Sequence, residues 1–548
     1  MSVSLKKLIF FVLIISHAGS ALTAQSFNRQ DTLRGSVTPE RAWWDLLHYE
    51  LKVKVDPAKK YISGSNTIRY KVLESSKLVQ IDLQDPLRIT KVSQDGQKLG
   101  FKKDGFAYFI DLEKNQMTGD INELMIEYEG LPVESINPPW SGGFTWKKDG
   151  NGKDFIATSC QGIGASIWWP NKDHMYDEPD QGMIIHATCP EDLTAVANGR
   201  LVYTIKNPDK TRTFVWEVKN PINNYGVNIN IGDYVSFDEK YTGLKGALDC
   251  TYYVLRDNLT QAKEQFKQVP LMLKAFEHWF GPYPFYEDSF KLVEVPYLGM
   301  EHQSSITYGN QYKNGYLGRD LSRSGWGLKF DFIIIHESGH EWFANNITYK
   351  DVADMWIHEG FTAYSETLYT DYHFGKEAGN DYIIGTRKNI KNDRPIIGIY
   401  NVNNEGSGDM YPKAANMLHT IRQLIDNDEK FRQILTGLNK TFYHQTVTTK
   451  EIEDYISTNS KMDLAKVFDQ YLRTTMIPVF EYQIKAGELL YRYNNVVDGF
   501  DMPIKVSLGK KTQWIKPNQQ WQKMYIDSSV DTDFTIDRNF YVIHSKQP

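Results

Sequence analysis

The stretch "FDFIIIHESGHEWFANN" carries two histidines, His336 and His340, four residues apart. On a helix, positions i and i+4 are neighbours on one face, so two imidazoles at this spacing can reach one metal ion. Glu337 is displaced around the same helix, which aims its carboxylate at a water beside the metal rather than at the metal. The apolar run Ile333 to Ile335 buries the start of the helix and holds it rigid. With eighteen residues between it and His340, Glu359 lies in "DMWIHEGFTAYSETLY", a second helix-like segment with Trp356, Phe361 and Tyr364 available for a core. Folded back on the first helix, this segment would bring Glu359 to the same ion. Two histidines, one glutamate and one open position make a catalytic zinc set, one Zn2+ per chain. Two solvated histidines on a surface helix would leave Glu359 without a purpose. Zinc lowers the pKa of a water toward ~7, and Glu337 can take the proton as that water attacks a carbonyl, then return it to a leaving amine. The reaction class is metal-assisted amide hydrolysis.

A second carboxylate asks for a partner. Glu301 sits in "VEVPYLGMEHQSSITYGN", which reads as an exposed edge strand entering a turn. Charged side chains are almost never buried unpaired, so Glu301 either points to water or is meant to meet a cation.

The elements that position these residues fall into three stretches. From about Trp44 to Glu239, short runs such as "YELKVKVD", "NTIRYKVL" and "TFVWEV" alternate with period two, separated by turn signals such as "SQDGQ" and "KKDGNGK". This pattern predicts a large antiparallel β-domain, a saddle or sandwich. Near Asp249 the period changes: "NLTQAKEQFKQVPLMLKAFEHWFG" has helical spacing and ends on Gly281 before Pro282. Helical patterns continue through "PKAANMLHTIRQLI", "EKFRQILTGLNKTFY", "TKEIEDYISTN" and "LAKVFDQYL". After Ile477 alternation returns, predicting a small C-terminal β-sandwich of about 70 residues, near the low end for an independent core. The expected fold is multidomain α+β: 1–24 a signal peptide, 25–245 the N-terminal β-domain, 246–477 a mainly helical catalytic domain, 478–548 the C-terminal β-sandwich.

Composition excludes several classes. An apolar content of 41% with 33 Tyr and 13 Trp is incompatible with a mostly disordered chain, and a formal charge of −6 argues against nucleic-acid or anionic-lipid binding. Only Cys160, Cys189 and Cys250 are present, too few and too scattered for a disulfide framework or a cysteine zinc site. The first residues, "MSVSLKKLIFFVLIISHAGSALTA", place Lys6 and Lys7 before a short apolar run and then small residues, as in a signal peptide cut after Ala21 or Ala24. No later stretch approaches the ~20 apolar residues needed to span a bilayer. The expectation is an exported protein, periplasmic or secreted, with no stable membrane insertion after cleavage.

"GMEHQSS", "HESGH" and, eighteen residues on, "EGF", in this order and spacing, resemble the aminopeptidase N family of gluzincin metallopeptidases, which includes leukotriene-A hydrolase. The resemblance is specific over about 245 to 480. It implies a β-saddle, a thermolysin-like catalytic domain and a small β-sandwich, acting on peptides with a free N-terminus. The family's exopeptidase motif, Gly-x-Met-Glu-Asn, matches Leu298, Gly299, Met300, Glu301 and His302. By resemblance Glu301 binds the substrate's α-amino group, with Gly299 and Met300 lining the substrate site. Leu298 and His302 depart from the motif, which puts the shape of the first side-chain pocket in question. A tyrosine that steadies the oxyanion, in a motif like Tyr-x-Lys-Gly, matches Tyr411 and Lys413, with Ala414 replacing the glycine. Since Tyr411 precedes Pro412, its backbone is expected to be extended. Gln161, in "ATSCQGIGASIWWPNKD", stands where the family's β-domain offers a polar residue to the substrate amine. Glu366 is a candidate to orient a zinc histidine, and His358 reads as a surface or supporting histidine.

Many family members continue into a long helical domain that covers the cleft. The chain ends soon after the small β-domain, so a more open cleft, or one closed by a second copy, is expected. Two other readings use the same residues: a zinc epoxide hydrolase and a non-catalytic binding scaffold. The scaffold reading requires lost ligands, and all three ligands and the base are present.

Overall fold

The computed structural model describes residues 26–485, 487–526 and 534–548, and the expected signal segment 1–24 lies outside them. No helix among the described residues is long and apolar enough to cross a membrane.

The predicted alternation becomes a ten-stranded sheet. Strand Trp44–Asp56 shows how: Leu51, Val53 and Val55 point into the core while Lys52 and Lys54 point to solvent. It pairs antiparallel with Tyr61–Val72 on one side and parallel with Met183–Pro190 on the other. Its inner face packs on Trp168 and Trp169, with the Tyr49 ring edge-on to Trp169 at 5.0 Å. A second sheet of four strands follows the order Thr194–Ala197, Ile229–Gly232, Asp154–Ser159, Gly143–Lys148. The turn after Asp154–Ser159 carries Gln161.

A five-stranded sheet opens the catalytic region, in the order Tyr234–Gly243, Gly246–Leu255, Phe290–Glu294, Ile306–Tyr308, Gly299–Met300. The hairpin Tyr234–Leu255 belongs wholly to this sheet. The expected limit at 245 falls in its turn, which favours a division before Tyr234. The short strand Gly299–Met300 is the edge expected from the sequence, yet it is buried, because the helical layer packs over it.

The helices follow their signals. Gln268–Phe280 stops at Gly281, whose φ of 91° suits glycine. Thr449–Ser460 begins with a capping box between Thr448 and Glu451. The long helix Trp356–Phe374 runs through the middle, against Phe332–Gly339, Lys376–Thr386 and Pro412–Ile425. Among the described residues, the C-terminal strands form sheets of four and three. Their apolar residues, including Phe480, Leu489, Ile504 and Val506, join the same core as Ile334, Trp356 and Leu418. The small β-unit thus leans on the helical region, which resolves the problem of its size.

Candidate active site

Asp331 caps the helix Phe332–Gly339, its carboxylate accepting from the Ile333 and Ile334 N–H groups at 3.1 and 3.3 Å. His336 sits in the last turn and His340 at the C-terminal end. The chain then winds through a wider turn, Glu341–Asn346, broken at Phe343 (φ −127°, ψ 80°) and Ala344 (φ 158°, ψ −49°). This break aims the Phe343 carbonyl at His340 Nδ1, 3.0 Å away. A carbonyl can only accept, so Nδ1 carries the proton and Nε2 presents a lone pair. His336 is fixed in the same tautomer by Glu366, whose Oε1 lies 2.7 Å from Nδ1. Glu366 is held in turn by the Tyr382 hydroxyl at 2.5 Å.

Both Nε2 atoms face Glu359, in the first turn of Trp356–Phe374. Glu359 Oε2 lies 3.8 Å from His336 Nε2 and 3.4 Å from His340 Nε2. This oxygen is buried and has no hydrogen-bond partner among the described residues. Ligands about 2.0–2.2 Å from a tetrahedral zinc lie roughly 3.4 Å apart. The orphaned carboxylate oxygen, the two free lone pairs and the oxygen–nitrogen donor set therefore fit zinc. His340 also brings a donor atom close to one each of Glu301 and Glu337.

Glu337 has no hydrogen-bond partner among the described residues. Burial pushes its carboxyl up to about 7, with His336 and His340 pulling down and Glu301 and Glu359 adding to the rise. Such a group can accept and release a proton near neutral pH. Gly299 makes room for it: a Cβ there would lie 2.7 Å from Ile333 Cγ2 and 3.1 Å from Glu337 Oε1.

Glu301 is 3% exposed, so the solvated alternative is excluded. Gln161 Nε2 donates to Glu301 Oε1 at 2.8 Å and to Glu359 Oε1 at 2.9 Å. Tyr225, which carries no sequence signal, donates its hydroxyl to Glu301 Oε1 at 3.1 Å. Behind it stands His358, buried rather than on the surface. Its Nε2 takes the Tyr349 backbone N–H at 3.0 Å. That N–H can only donate, so the His358 proton is on Nδ1, facing the Tyr225 oxygen at 3.3 Å. The relay thus aims the Tyr225 proton at Glu301. The broken turn after His340 fixes the backbone here: Asn345 Nδ2 donates to the Glu301 carbonyl at 2.8 Å, and Glu341 accepts the Ser304 N–H at 3.1 Å. None of these supports is visible in local spacing.

Tyr411 lines the same cleft, its ring stacked 6.0 Å from that of His336. Its backbone is helical (φ −75°, ψ −76°), not extended, because it continues the turn Gly408–Met410 into the helix Pro412–Ile425. That turn overrides the local preference of a residue before proline. The residue is 37% exposed overall, but desolvation at its place in the cleft, with Glu359 and Glu301 nearby, holds the phenol well above its ordinary pKa, so it stays a donor. The cleft encloses about 760 Å³, and its wall includes Gln161, Met300, Glu301, Glu337 and Tyr411.

Comparison with known proteins identifies the family. Residues 46–225 match the model of the peptidase M1 N-terminal domain, and residues 265–471 match that of the peptidase family M1 domain. The chain belongs to the M1 peptidase family. Among its M1 relatives, mouse aminopeptidase B is 22% identical over 82% of this chain and 72% of its own length. Leukotriene A-4 hydrolase of Xenopus laevis is 22% identical over 76% of this chain and 68% of its own. The M1 zinc metallopeptidase of Deinococcus radiodurans shares the fold, with a TM-score of 0.68 at 20% identity over 80% of this chain and 95% of that one.

The departures of this M1 chain from the family motifs have local explanations. Leu298 lies in the cleft wall, which also includes Trp140 and Tyr316. His302 is buried away from solvent, its Nδ1 3.3 Å from Thr307 Oγ1 and its Nε2 without a partner among the described residues. Ala414 packs over Gly360, where a Cβ would come within 2.8 Å of the Ala414 methyl. The extra methyl is accepted because residue 360 has none.

Proposed function

We propose that the protein is an exported zinc aminopeptidase that removes N-terminal residues from peptides. The observation that carries the reading is the buried Glu301, bridged by Gln161 to the metal ligand Glu359. An anion at one residue's distance from the metal selects a substrate whose ammonium lies one residue from the scissile bond. The N-terminal segment "MSVSLKKLIFFVLIISHAGSALTA" supports export.

His336, His340 and Glu359 would hold the ion. When bound, zinc supplies a Lewis acid that polarises a carbonyl and makes a water acidic near neutral pH. Glu301 and the Gln161 carbonyl oxygen receive the α-ammonium through charge-assisted hydrogen bonds, which fix the first peptide bond in the cleft. Glu337 takes a proton from the attacking water as its oxygen bonds to the carbonyl carbon. The Tyr411 hydroxyl donates to the oxygen that becomes negative. Glu337 then delivers its proton to the leaving nitrogen as the C–N bond breaks, releasing the first amino acid and a shortened peptide.

The test is hydrolysis of amino-acid anilides by zinc-loaded protein. Free-amine substrates are expected to be cleaved, chelator to abolish cleavage, and Glu337→Gln to keep the metal while kcat falls about 10³-fold. Equal cleavage of N-acetylated and free substrates would overturn the exopeptidase reading.

A further inference from the structure

Six carboxylates line the cleft: Glu301, Glu337, Glu359, Glu366, Glu405 and Asp409. Four have work. Glu301 and Glu359 hold Gln161, Glu366 holds His336, and Asp409 caps the backbone N–H groups of Lys391 and Asn392 at 2.8 and 2.5 Å. Glu337 stands free as the base. Glu405 is also without a hydrogen-bond or ion-pair partner among the described residues, and no catalytic step uses it. Among the described residues, the one lysine or arginine in the wall is Lys391, so the cleft favours cations.

The position of Glu405 gives it a use. It follows a tight loop closed by the Ile399–Asn404 bridge. This loop packs on the turn that carries Gln161, where Asn403 Nδ2 donates to the Gly162 carbonyl at 3.5 Å. A Cβ on Gly162 would have one heavy atom within 4 Å, Glu405 Oε2 at 3.9 Å, so the space before the carboxylate is open. Two arginines stand nearby, Arg34 donating to the Gly162 carbonyl at 2.7 Å and Arg394 to the Gly406 carbonyl at 2.9 Å, and among the described residues neither forms an ion pair with Glu405. The α-ammonium and the side chain of a substrate's first residue leave the same carbon. With the ammonium held by Glu301 and Gln161, that side chain starts beside the Gly162 turn and can extend toward Glu405.

We propose that Glu405 is a specificity-determining residue that favours peptides beginning with lysine or arginine, its carboxylate pairing with the side-chain cation. This rests on the aminopeptidase reading and adds the substrate class to it. The pair forms at a partly open wall, so it discriminates moderately, and it acts through KM.

The experiment measures kcat/KM of zinc-loaded protein for the anilides of arginine, lysine, alanine and glutamate, in the wild type and in Glu405→Gln, Glu405→Asp and Glu405→Lys. The wild type is expected to prefer arginine and lysine. In Glu405→Gln the arginine-to-alanine ratio falls about five- to tenfold, mostly through KM. Glu405→Asp keeps part of the preference, and Glu405→Lys moves it toward glutamate, an inversion that a merely structural role would not produce. If the anilides are cleaved and the ratio stays within about twofold in Glu405→Gln and Glu405→Lys, the assignment of Glu405 is overturned while the aminopeptidase reading stands. If the wild type cleaves no free-amine anilide, both fall together.

Discussion

Gln161 Nε2 lies 2.8 Å from Glu301 Oε1, a contact between side chains 140 residues apart that joins the N-terminal β-region to the edge strand of the catalytic sheet. The same nitrogen reaches Glu359 at 2.9 Å, so one amide orients both the proposed amine anchor and a proposed metal ligand. With its N–H groups on carboxylates, the Gln161 carbonyl is left to accept from a substrate.

Glu301→Ala is therefore expected to retain one zinc per chain and to lose about 10²-fold or more in kcat/KM on free-amine anilides. Gln161→Ala should lose less, about tenfold, since Tyr225 still holds Glu301. Metal analysis beside the kinetics checks both; loss of zinc in Glu301→Ala would count against its role at the amine.

On the proposed reading, Glu366 acts on the metal through His336, whose Nδ1 it holds. Removing a carboxylate that orients a ligating histidine costs about 10–100-fold in metal affinity, so Glu366→Ala should need that much more free zinc for half-saturation. Competition with a chelator measures it. An unchanged affinity would mean that packing alone orients His336.

The space beside Glu337 depends on a missing methyl. In Gly299→Ala the new Cβ meets Ile333 and the Glu337 carboxylate, and a displacement of about 1 Å at a reacting group can cost 10²-fold. A fall of that order in kcat, with the circular dichroism spectrum and zinc content preserved, is the expected outcome.

Burial depresses His302 to about 3, and likewise His174 and His419, where neighbouring cations add to burial's effect. Folding keeps these imidazoles neutral, while the unfolded chain binds their protons below about 6.5. Stability is therefore full above pH 6.5 and is lost as pH falls toward 3, at up to about 1.4 kcal/mol per pH unit for each histidine. His302→Asn removes one of the three, and its melting temperature should fall less steeply than the wild type's between pH 6.5 and 4.5. Parallel curves would show that His302 is protonated in the folded protein.

How much of this was legible depended on distance along the chain. His336, Glu337, His340 and Glu359 lie on two helices with plain periodicity, and their geometry follows from local spacing. Gln161, Glu301 and Tyr411 were legible through the resemblance, because no periodicity brings a β-turn, an edge strand and a helix start to one cleft. Tyr225 and Asn345 were illegible: a tyrosine among 33 and an asparagine in a turn gain their roles from contacts 76 and 44 residues away. His358 looked like a surface residue because its neighbours in sequence do not reveal the Tyr349 backbone packed above it. The C-terminal alternation predicted strands correctly, but period two does not say whose core they complete.

The supports of Glu301 that come from the N-terminal β-region, Gln161 and Tyr225, precede the five-stranded sheet, whereas the proposed water-splitting residues all follow it. On the proposed reading, the molecule keeps its ruler and its blade on different lengths of chain. The ruler, which counts one residue from a peptide's end, takes two of its marks from a unit that does no cutting. Natural or engineered exchange of that unit could then redraw where a peptide is measured from while the machinery that severs it stays as it is.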